Sequence, residues 1–324
     1  MTIRMTTDSA LPTIGVDVGG TTVKAGIVAA DGALLVVHRV PTPADGSDLI
    51  DAIGVLVERL IAEAPIPIQA IGIGLPAVIE QPSGRVRMGV NIALEDEEPA
   101  RLLSERFRRP VRLDNDANVA ALAEHRLGVA KGLGSSVMLT LGTGVGGGVI
   151  VDGKVVRGGG GLGAELGHLV VDMNGPRCTG ANCPNRGCIE GFASAQAFER
   201  DAREAIAADP QGAIARALPA GVDRAPEVFG ELATAGDPSA VAILNRAGLA
   251  LGVALASLAN IFGPEVFVIG GGVAALGDHL LVPARAELAA RALSPFRDIP
   301  IRLAALGPDA GIVGAALLAL GEEA

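Results

Sequence analysis

Tryptophan and tyrosine are absent from the 324 residues, and phenylalanine occurs seven times. No sugar or base is therefore expected to be held by stacking, and Leu, Val, Ile and Ala must fill the interior. Cysteine is scarce: three residues, at 178, 183 and 188. An odd number within eleven residues is no disulfide framework; it fits a reducing compartment and a metal. Positive charge is also short, with 26 Lys and Arg against 36 Asp and Glu and a net charge of −10. That balance argues against a general nucleic-acid surface. No basic segment followed by a continuous apolar core opens the chain, so no secretory signal and a cytoplasmic setting are expected. One uncharged run, Ala247 to Pro264, has the length of a membrane span. It carries Gly248, Gly252, Ser257 and Asn260 and ends in Gly263-Pro264, which suits a buried helix of an α/β protein and no membrane contact.

What is plentiful is apolar residues, 49% of the chain, enough for two domains or lobes. Residues 1–11 read as a frayed tail. Thr13 to Val18 reads as a buried strand entering a Gly19-Gly20 corner. Val23 to Ala30 continues as a second strand, and Asp31-Gly32 turns into a third, Ala33 to Val40. Helical periodicity covers Ser47 to Glu63, with Ser47 as its expected cap. A strand at 70–75, a helix at 99–108, a strand at 111–113 and an alanine-rich helix at 117–127 follow. The opening pattern then returns: strand (135–141), Gly142-Thr143-Gly144, strand (146–151), Asp152-Gly153, strand (154–156). Two lobes of one architecture are expected, each with a glycine corner. Helices near 194–207, 238–260 and 280–292, strands at 266–269 and 301–303, and a last helix from about 310 complete the pattern.

Asp17-x-Gly19-Gly20-Thr21-Thr22 places a carboxylate beside a turn without side chains. Bare amides can approach phosphate oxygens there, and the carboxylate can hold hydrated magnesium; a tight hairpin is the other reading. Gly142-Thr143-Gly144 is a second such corner, neither a P-loop nor a Rossmann turn. Gly270-Gly271-Gly272 is a third. Any one could serve packing alone; three after hydrophobic strands favour a nucleotide cleft. Lys24 reads as a solvated strand residue, and His38, His125 and His279 as surface or structural.

Asn115-Asp116 is placed in a loop between strand and helix. A carboxylate there can take a hydroxyl proton while the amide binds a neighbouring hydroxyl. Spacing alone favours the other reading, a helix cap, which Asp114, Asn115 or Asp116 could equally supply. Glu165 and His168, three apart, share a face if that segment is helical. His168 with Cys178, Cys183 and Cys188 makes a closed tetrahedral zinc set, flanked in sequence by Glu165 and Glu190.

The stretches DVGGTTVKAGIV, GIGLPAV, DNDANVAALAE, LGTGVGGGVI, GAELGHLVV, NCPNRGCIE and VIGGG resemble the sugar kinases of the ROK family (repressors, uncharacterised frames and kinases), within the actin/hexokinase-like ATPase superfamily. The resemblance runs from about Ile14 to the C-terminus. It implies an α/β, two-lobed, duplicated ribonuclease-H-like fold with an inter-lobe cleft and a last helix returning to the N-terminal lobe. The lobes expected are 1–118 plus 309–324, and 119–308. The family's base falls on Asp116, its sugar ligands on Asn91, Asn115, Asp116, Glu165, His168 and Glu190. Its phosphate loops fall on Asp17 and Gly19 to Thr22 and on Gly142, Thr143 and Gly144, its adenosine loop on Gly270, Gly271 and Gly272. Its zinc ligands fall on His168, Cys178, Cys183 and Cys188.

Two departures stand out. The family usually has Cys-x-Cys-Gly-x-x-Gly-Cys, whereas here four residues separate Cys178 from Cys183 and Pro184 stands where the glycine would. Ala77 stands where many relatives have a glycine that touches the sugar. The expected activity is ATP-dependent phosphorylation of a hexose, D-glucose at its 6-hydroxyl, with ATP, magnesium and a structural zinc. Another hexose, an N-acetylated amino sugar or a polyphosphate donor are the alternatives. A sugar-responsive repressor is disfavoured because Asp17 follows only sixteen residues, too few for a helix-turn-helix domain. A homodimer or homotetramer is expected from the family.

Overall fold

The computed structural model describes residues 11–90, 92–180 and 182–321. The expectations for residues 1–10 and for Asn91 lie outside the described residues. The chain forms two compact units: the described residues through Gly132 with Lys154–Ala164 and those from Leu306 on, and Leu133–Gly153 with Glu165–Ala305. The first unit thus extends beyond the expected limit at 118, because the helix that follows packs within it.

In the first unit β1 (Thr13–Val18), β2 (Thr22–Val28) and β3 (Leu34–Pro41) form the antiparallel set expected. Asp31 accepts the amide of Ala33 and Gly32 takes φ +89°, which makes the turn tight. Helix α1 (Gly46–Glu63) is capped by Asp45, not Ser47: Asp45 Oδ1 accepts the Ser47 amide, and Ser47 Oγ donates to the same oxygen. The strands β4 (Ile71–Leu75) and, after the helix α2 (Pro99–Phe107), β7 (Val111–Asn115) complete a sheet of order β3-β2-β1-β4-β7. Between β4 and α2 lies a hairpin that the sequence reading missed, β5 (Ala77–Glu80) with β6 (Arg85–Gly89). Helix α3 (Asp116–Arg126) starts directly at the end of β7. An aliphatic core between this sheet and α1 includes Ile14, Val16, Leu49, Ile53, Ile71 and Ile73.

The second unit repeats the plan. A sheet contains β8 (Ser136–Leu141), β9 (Val145–Val151), β11 (Val266–Gly270) and β12 (Ile301–Leu303), in the order β9-β8-β11-β12. As in the first sheet, the first strand pairs antiparallel with its successor and parallel with the strand on its other side. The short β10 (Lys154–Val155) follows the Asp152-Gly153 turn. Helices α4 (Glu190–Ala193), α5 (Ala195–Ala208), α6 (Ala213–Ala217), α7 (Ala225–Thr234), α8 (Pro238–Phe262) and α9 (Asp278–Arg291) surround it in sequence; α6 and α7 were not anticipated. The uncharged run is the body of α8, which packs against α7 and α9 and buries twelve residues, Leu244, Leu251 and Leu255 among them.

The last helix, α10 (Ala310–Leu320), belongs to the first unit and lies on β1, β4 and α3. Close approach is permitted by Gly15 and Gly72, where a Cβ would come within 1.8 and 1.7 Å of the Ile312 and Ala315 carbonyl oxygens.

Candidate active site and metal cluster

In the first unit two strand ends carry the expected groups. At the end of β1, Gly19 N–H donates to Thr22 O, and Thr42 closes the turn by donating to the carbonyls of Gly19 and Thr21. Gly20 has ordinary φ and a Cβ there would meet nothing within 4 Å, so packing does not demand its glycine. Asp17 lies against the first turn of α10, where a Cβ on Gly311 would be 2.5 Å from its carboxyl carbon. Lys24, read as solvated, instead donates to Asp17 Oδ2 at 3.3 Å and to Pro308 O at 2.8 Å. Burial pushes the Asp17 carboxyl above its ordinary value, and Lys24 pulls it back only partly.

At the end of β7 the chain passes into α3 with no intervening loop, a correction to the expected placement. Asn115 is the cap: its Oδ1 accepts the amides of Ala117 and Asn118, and its Nδ2 donates to Ala77 O at 3.3 Å. Asp116 is the first residue of the helix, its Oδ1 accepting the Ala117 amide at 2.8 Å. A carboxylate here sits at the positive end of the helix dipole. Ala77, with 2% exposure, meets Asn115 through its carbonyl.

In the second unit the helical segment at Glu165 and His168 is a single 3-10 turn, Leu166–His168, with Glu165 at its N-cap position. Burial pushes the Glu165 carboxyl up; His168 opposes this and Glu190 adds to it. The cysteine loop is held by its own backbone: Cys178 N–H donates to Asn185 O, Gly187 N–H to Pro176 O, and Val171 N–H to Gly187 O. Gly187 takes φ +72°, and a Cβ there would lie 1.5 Å from Asp172 O.

One ligand atom from each of His168, Cys178, Cys183 and Cys188 lies within 4.8 Å of the others. Cys183 Sγ is 3.8 Å from Cys188 Sγ, and Cys178 Sγ is 3.5 Å from His168 Nδ1. Each of these two separations matches one edge of a tetrahedron with a centre about 2.3 Å from sulfur and about 2.0–2.1 Å from nitrogen. The three thiols form no disulfide, and burial pushes those of Cys178 and Cys188 up. A divalent ion fits this donor set. The longer spacing between Cys178 and Cys183 is absorbed without displacing a ligand; Ala181 within it lies outside the described residues.

Glu190 has two sets of partners. Its Oε1 accepts Thr179 Oγ1 at 3.2 Å and faces Cys178 Sγ at 3.5 Å; its Oε2 accepts the Val145 amide at 3.0 Å. The cysteine loop and the Gly142–Gly144 corner are thereby joined through one buried carboxylate. The amides of Ala195 and Gln196, in the first turn of α5, donate to the carbonyls of Gly142 and Thr143. Gly271 takes φ +87° and packs on Leu141, bringing the third glycine loop against the second. A Cβ at Gly142 or Gly272 would meet nothing within 4 Å, as at Gly20. Each loop thus has one glycine that neither backbone strain nor packing explains.

The other histidines are occupied elsewhere: His38 contacts Glu63 at 2.7 Å, His279 contacts Thr234 Oγ1 at 3.0 Å, and His125 is buried.

The family model for the ROK family matches residues 13–322. A glucokinase of Halalkalibacterium halodurans is 38% identical over 318 residues, 96% of this chain and 95% of that one. Among solved structures, a ROK family glucokinase from Streptomyces griseus in complex with glucose and AMPPNP aligns with a TM-score of 0.81 at 34% identity, covering 95% of this chain and 99% of that one. A ROK hexokinase from Thermus thermophilus aligns with a TM-score of 0.81 at 39% identity, covering 97% and 99%.

Proposed function

The chain belongs to the ROK family, and from that premise we propose that it is an ATP-dependent hexokinase that phosphorylates the 6-hydroxyl of D-glucose. The observation that carries this reading is the strand end at Asn115-Asp116, where a capped helix begins with a carboxylate. Asp116 accepts the proton of the attacking hydroxyl as its oxygen bonds to the γ-phosphorus and the bond from that phosphorus to the bridging oxygen breaks, ADP leaving with the electron pair. Asn115, with Oδ1 engaged in the cap and one Nδ2 hydrogen on Ala77, has a second Nδ2 hydrogen for a neighbouring sugar hydroxyl. Glu165, His168 and Glu190 are the proposed ligands of the remaining hydroxyls, and Asn91 a further one by resemblance.

Gly19 to Thr22 and Gly142 to Gly144 hold the phosphates, and Gly270 to Gly272 face the adenosine; Gly20, Gly142 and Gly272 keep backbone open to it. Magnesium arriving with the nucleotide would supply charge neutralisation, and Asp17 is the residue that would hold it. A general base contributes about 10²–10⁴-fold, so positioning and charge stabilisation supply most of the rate.

His168, Cys178, Cys183 and Cys188 would hold a zinc ion whose part is structural, since four protein ligands leave no open position. The free thiols suit a reducing, cytoplasmic setting, and family resemblance suggests a homodimer or homotetramer.

The test is a coupled assay over glucose, mannose, fructose and N-acetylated amino sugars, with ATP or polyphosphate as donor. Glucose with ATP should give the highest kcat/KM. A tenfold preference for another sugar or for polyphosphate overturns the specificity assigned here. Asp116→Asn, which keeps an acceptor for the Ala117 amide, should lose about 10²–10⁴-fold in kcat with little change in Tm. A variant with near-parental kcat removes Asp116 as the base.

A further inference from the structure

Between β10 and the 3-10 turn at Leu166, the chain runs through Arg157-Gly158-Gly159-Gly160-Gly161, a segment that lies in the first unit. Neither the motifs nor the proposed chemistry uses it. Its attachment is specific. Arg157 Nε and Nη2 reach Asp114 Oδ2 at 2.7 and 2.6 Å, and Asp114 is only 3% exposed. The other oxygen, Asp114 Oδ1, accepts the amide of Asn115 at 2.8 Å and Nδ2 of Asn118 at 2.9 Å. Asp114 therefore joins Arg157 to the residue that caps α3 and to the first turn of that helix.

The glycines are seated on the same strand ends. Gln81 N–H donates to Gly160 O at 2.8 Å, while Gln81 Nε2 donates to Leu113 O, one residue before Asp114. Gly161 takes φ +81°, and a Cβ there would come within 2.7 Å of the Gln81 side chain. Gly163 N–H donates back to Arg157 O at 2.8 Å, closing the segment on itself. A flexible glycine run would not by itself hold a defined path; the buried charge pair and the Gln81 bonds define it.

We propose that Arg157 is a positioning residue for phosphoryl transfer: by holding the Asp114 carboxylate it fixes the strand end that presents Asn115 and Asp116. A buried carboxylate stripped of its cation is left uncompensated and draws on other donors. Two donors already rest on it, the Asn115 amide and the Asn118 side chain, so the cap and the first turn of α3 move with it. A displacement of about 1 Å at a reacting group costs on the order of 10²-fold in rate. The inference rests on Asp116 being the base, and it concerns the geometry of that base rather than its identity.

The test compares Arg157→Met, Arg157→Lys, Asp114→Asn and the double variant Arg157→Met/Asp114→Asn, each by kcat, KM for glucose, KM for ATP and Tm. Arg157→Met should lose on the order of 10²-fold in kcat, with KM for ATP within about twofold of the parent. Arg157→Lys should recover most of that loss. The double variant, which removes the Asp114 charge together with the cation that holds it, should be faster than Arg157→Met alone. Arg157→Met within twofold of parental kcat overturns the proposal, as does a loss that Arg157→Lys and the double variant leave untouched. If Arg157→Met does not fold, Arg157→Lys decides: reduced kcat at unchanged KM for ATP supports the proposal, and parental kcat overturns it. Asp116→Asn measured alongside separates the two readings. If it stays active, the base is misassigned; if it is dead while the Arg157 variants are normal, only the positioning role fails.

Discussion

Glu190 Oε2 accepts the backbone N–H of Val145 at 3.0 Å across 45 residues of sequence, and Gly144 is the residue that lets it do so. A Cβ on Gly144 would stand 2.5 Å from that oxygen. The same carboxylate touches Thr179 and Cys178 in the cysteine loop, so loop and glycine corner share one anchor. Gly144→Ala should displace the carboxylate and raise KM for glucose and for ATP together, by about tenfold each, the equivalent of one lost hydrogen bond to a charged group. Steady-state kinetics in both substrates checks this, and a rise confined to ATP would show that Glu190 does not couple the two loops.

The metal cluster makes a separate expectation. Zinc analysis of the purified protein should give about one ion per chain; less than one per two chains counts against the assignment. Cys188→Ser should lose the metal, lower Tm and raise KM for glucose, because Cys188 lies two residues before Glu190. Burial holds the Cys178 and Cys188 thiols protonated in the absence of an ion, so metal uptake releases protons. Retention in the presence of a chelator should therefore weaken as pH falls and strengthen as it rises.

Much of this was legible in the chain. The three strands around Gly19-Gly20, their repetition around Gly142–Gly144, and the helix at 238–262 all announce themselves by periodicity and glycine turns. The His-Cys cluster is local, with ligands close in sequence, and so is the Asn115-Asp116 pair. What was not legible depends on pairings far apart. Lys24 looks solvated until Asp17 and Pro308 are placed beside it. Arg157 has no motif, and its partner lies 43 residues away. The hairpin at Ala77–Gly89 was hidden because two of its exposed or half-buried positions, Arg85 and Arg87, make ion pairs with Glu98 and Glu80 in place of an apolar alternation. At α1 two polar residues competed for the cap, and Asp45 holds it by accepting both the amide and the hydroxyl of Ser47.

Asp17 should trade stability for function. Burial raises its carboxyl above the ordinary value, so the native protein holds the Asp17 proton more tightly than the unfolded chain does. The ionised group therefore costs stability. That cost is absent below the unfolded carboxylate pKa of about 3.9 and complete once the pH has passed the folded value. Asp17→Asn is expected to raise Tm at about pH 7.5 by about 2–4 °C, the shift made by roughly 1 kcal/mol, and to abolish turnover. The gain in Tm should shrink as the pH is lowered through the carboxylate range. Lys24→Met should act in the opposite sense at neutral pH, since it removes the charge that partly offsets the burial. Thermal melts of both variants across this range decide the matter; an Asp17→Asn protein less stable than the parent at neutral pH would reverse the sign.

Two glycine substitutions separate packing from chemistry in the same unit. At Gly72 in β4 a Cβ would lie 1.7 Å from Ala315 O of α10, and backbone on both sides leaves no flexible group to give way. Overpacking of this kind costs about 1–3 kcal/mol and occasionally more, so Gly72→Ala should lower Tm sharply while the surviving folded fraction keeps its KM values. At Gly20 the situation is reversed: φ is ordinary and the added methyl meets nothing within 4 Å. Gly20→Ala should leave Tm within the scatter of surface substitutions, about ±0.5 kcal/mol, because nothing in the fold is displaced. If the turn is the phosphate loop proposed above, the effect should fall on the nucleotide: KM for ATP should rise and kcat should fall. A Gly20→Ala enzyme with parental kcat/KM for ATP would show that the turn after β1 is a hairpin and no more.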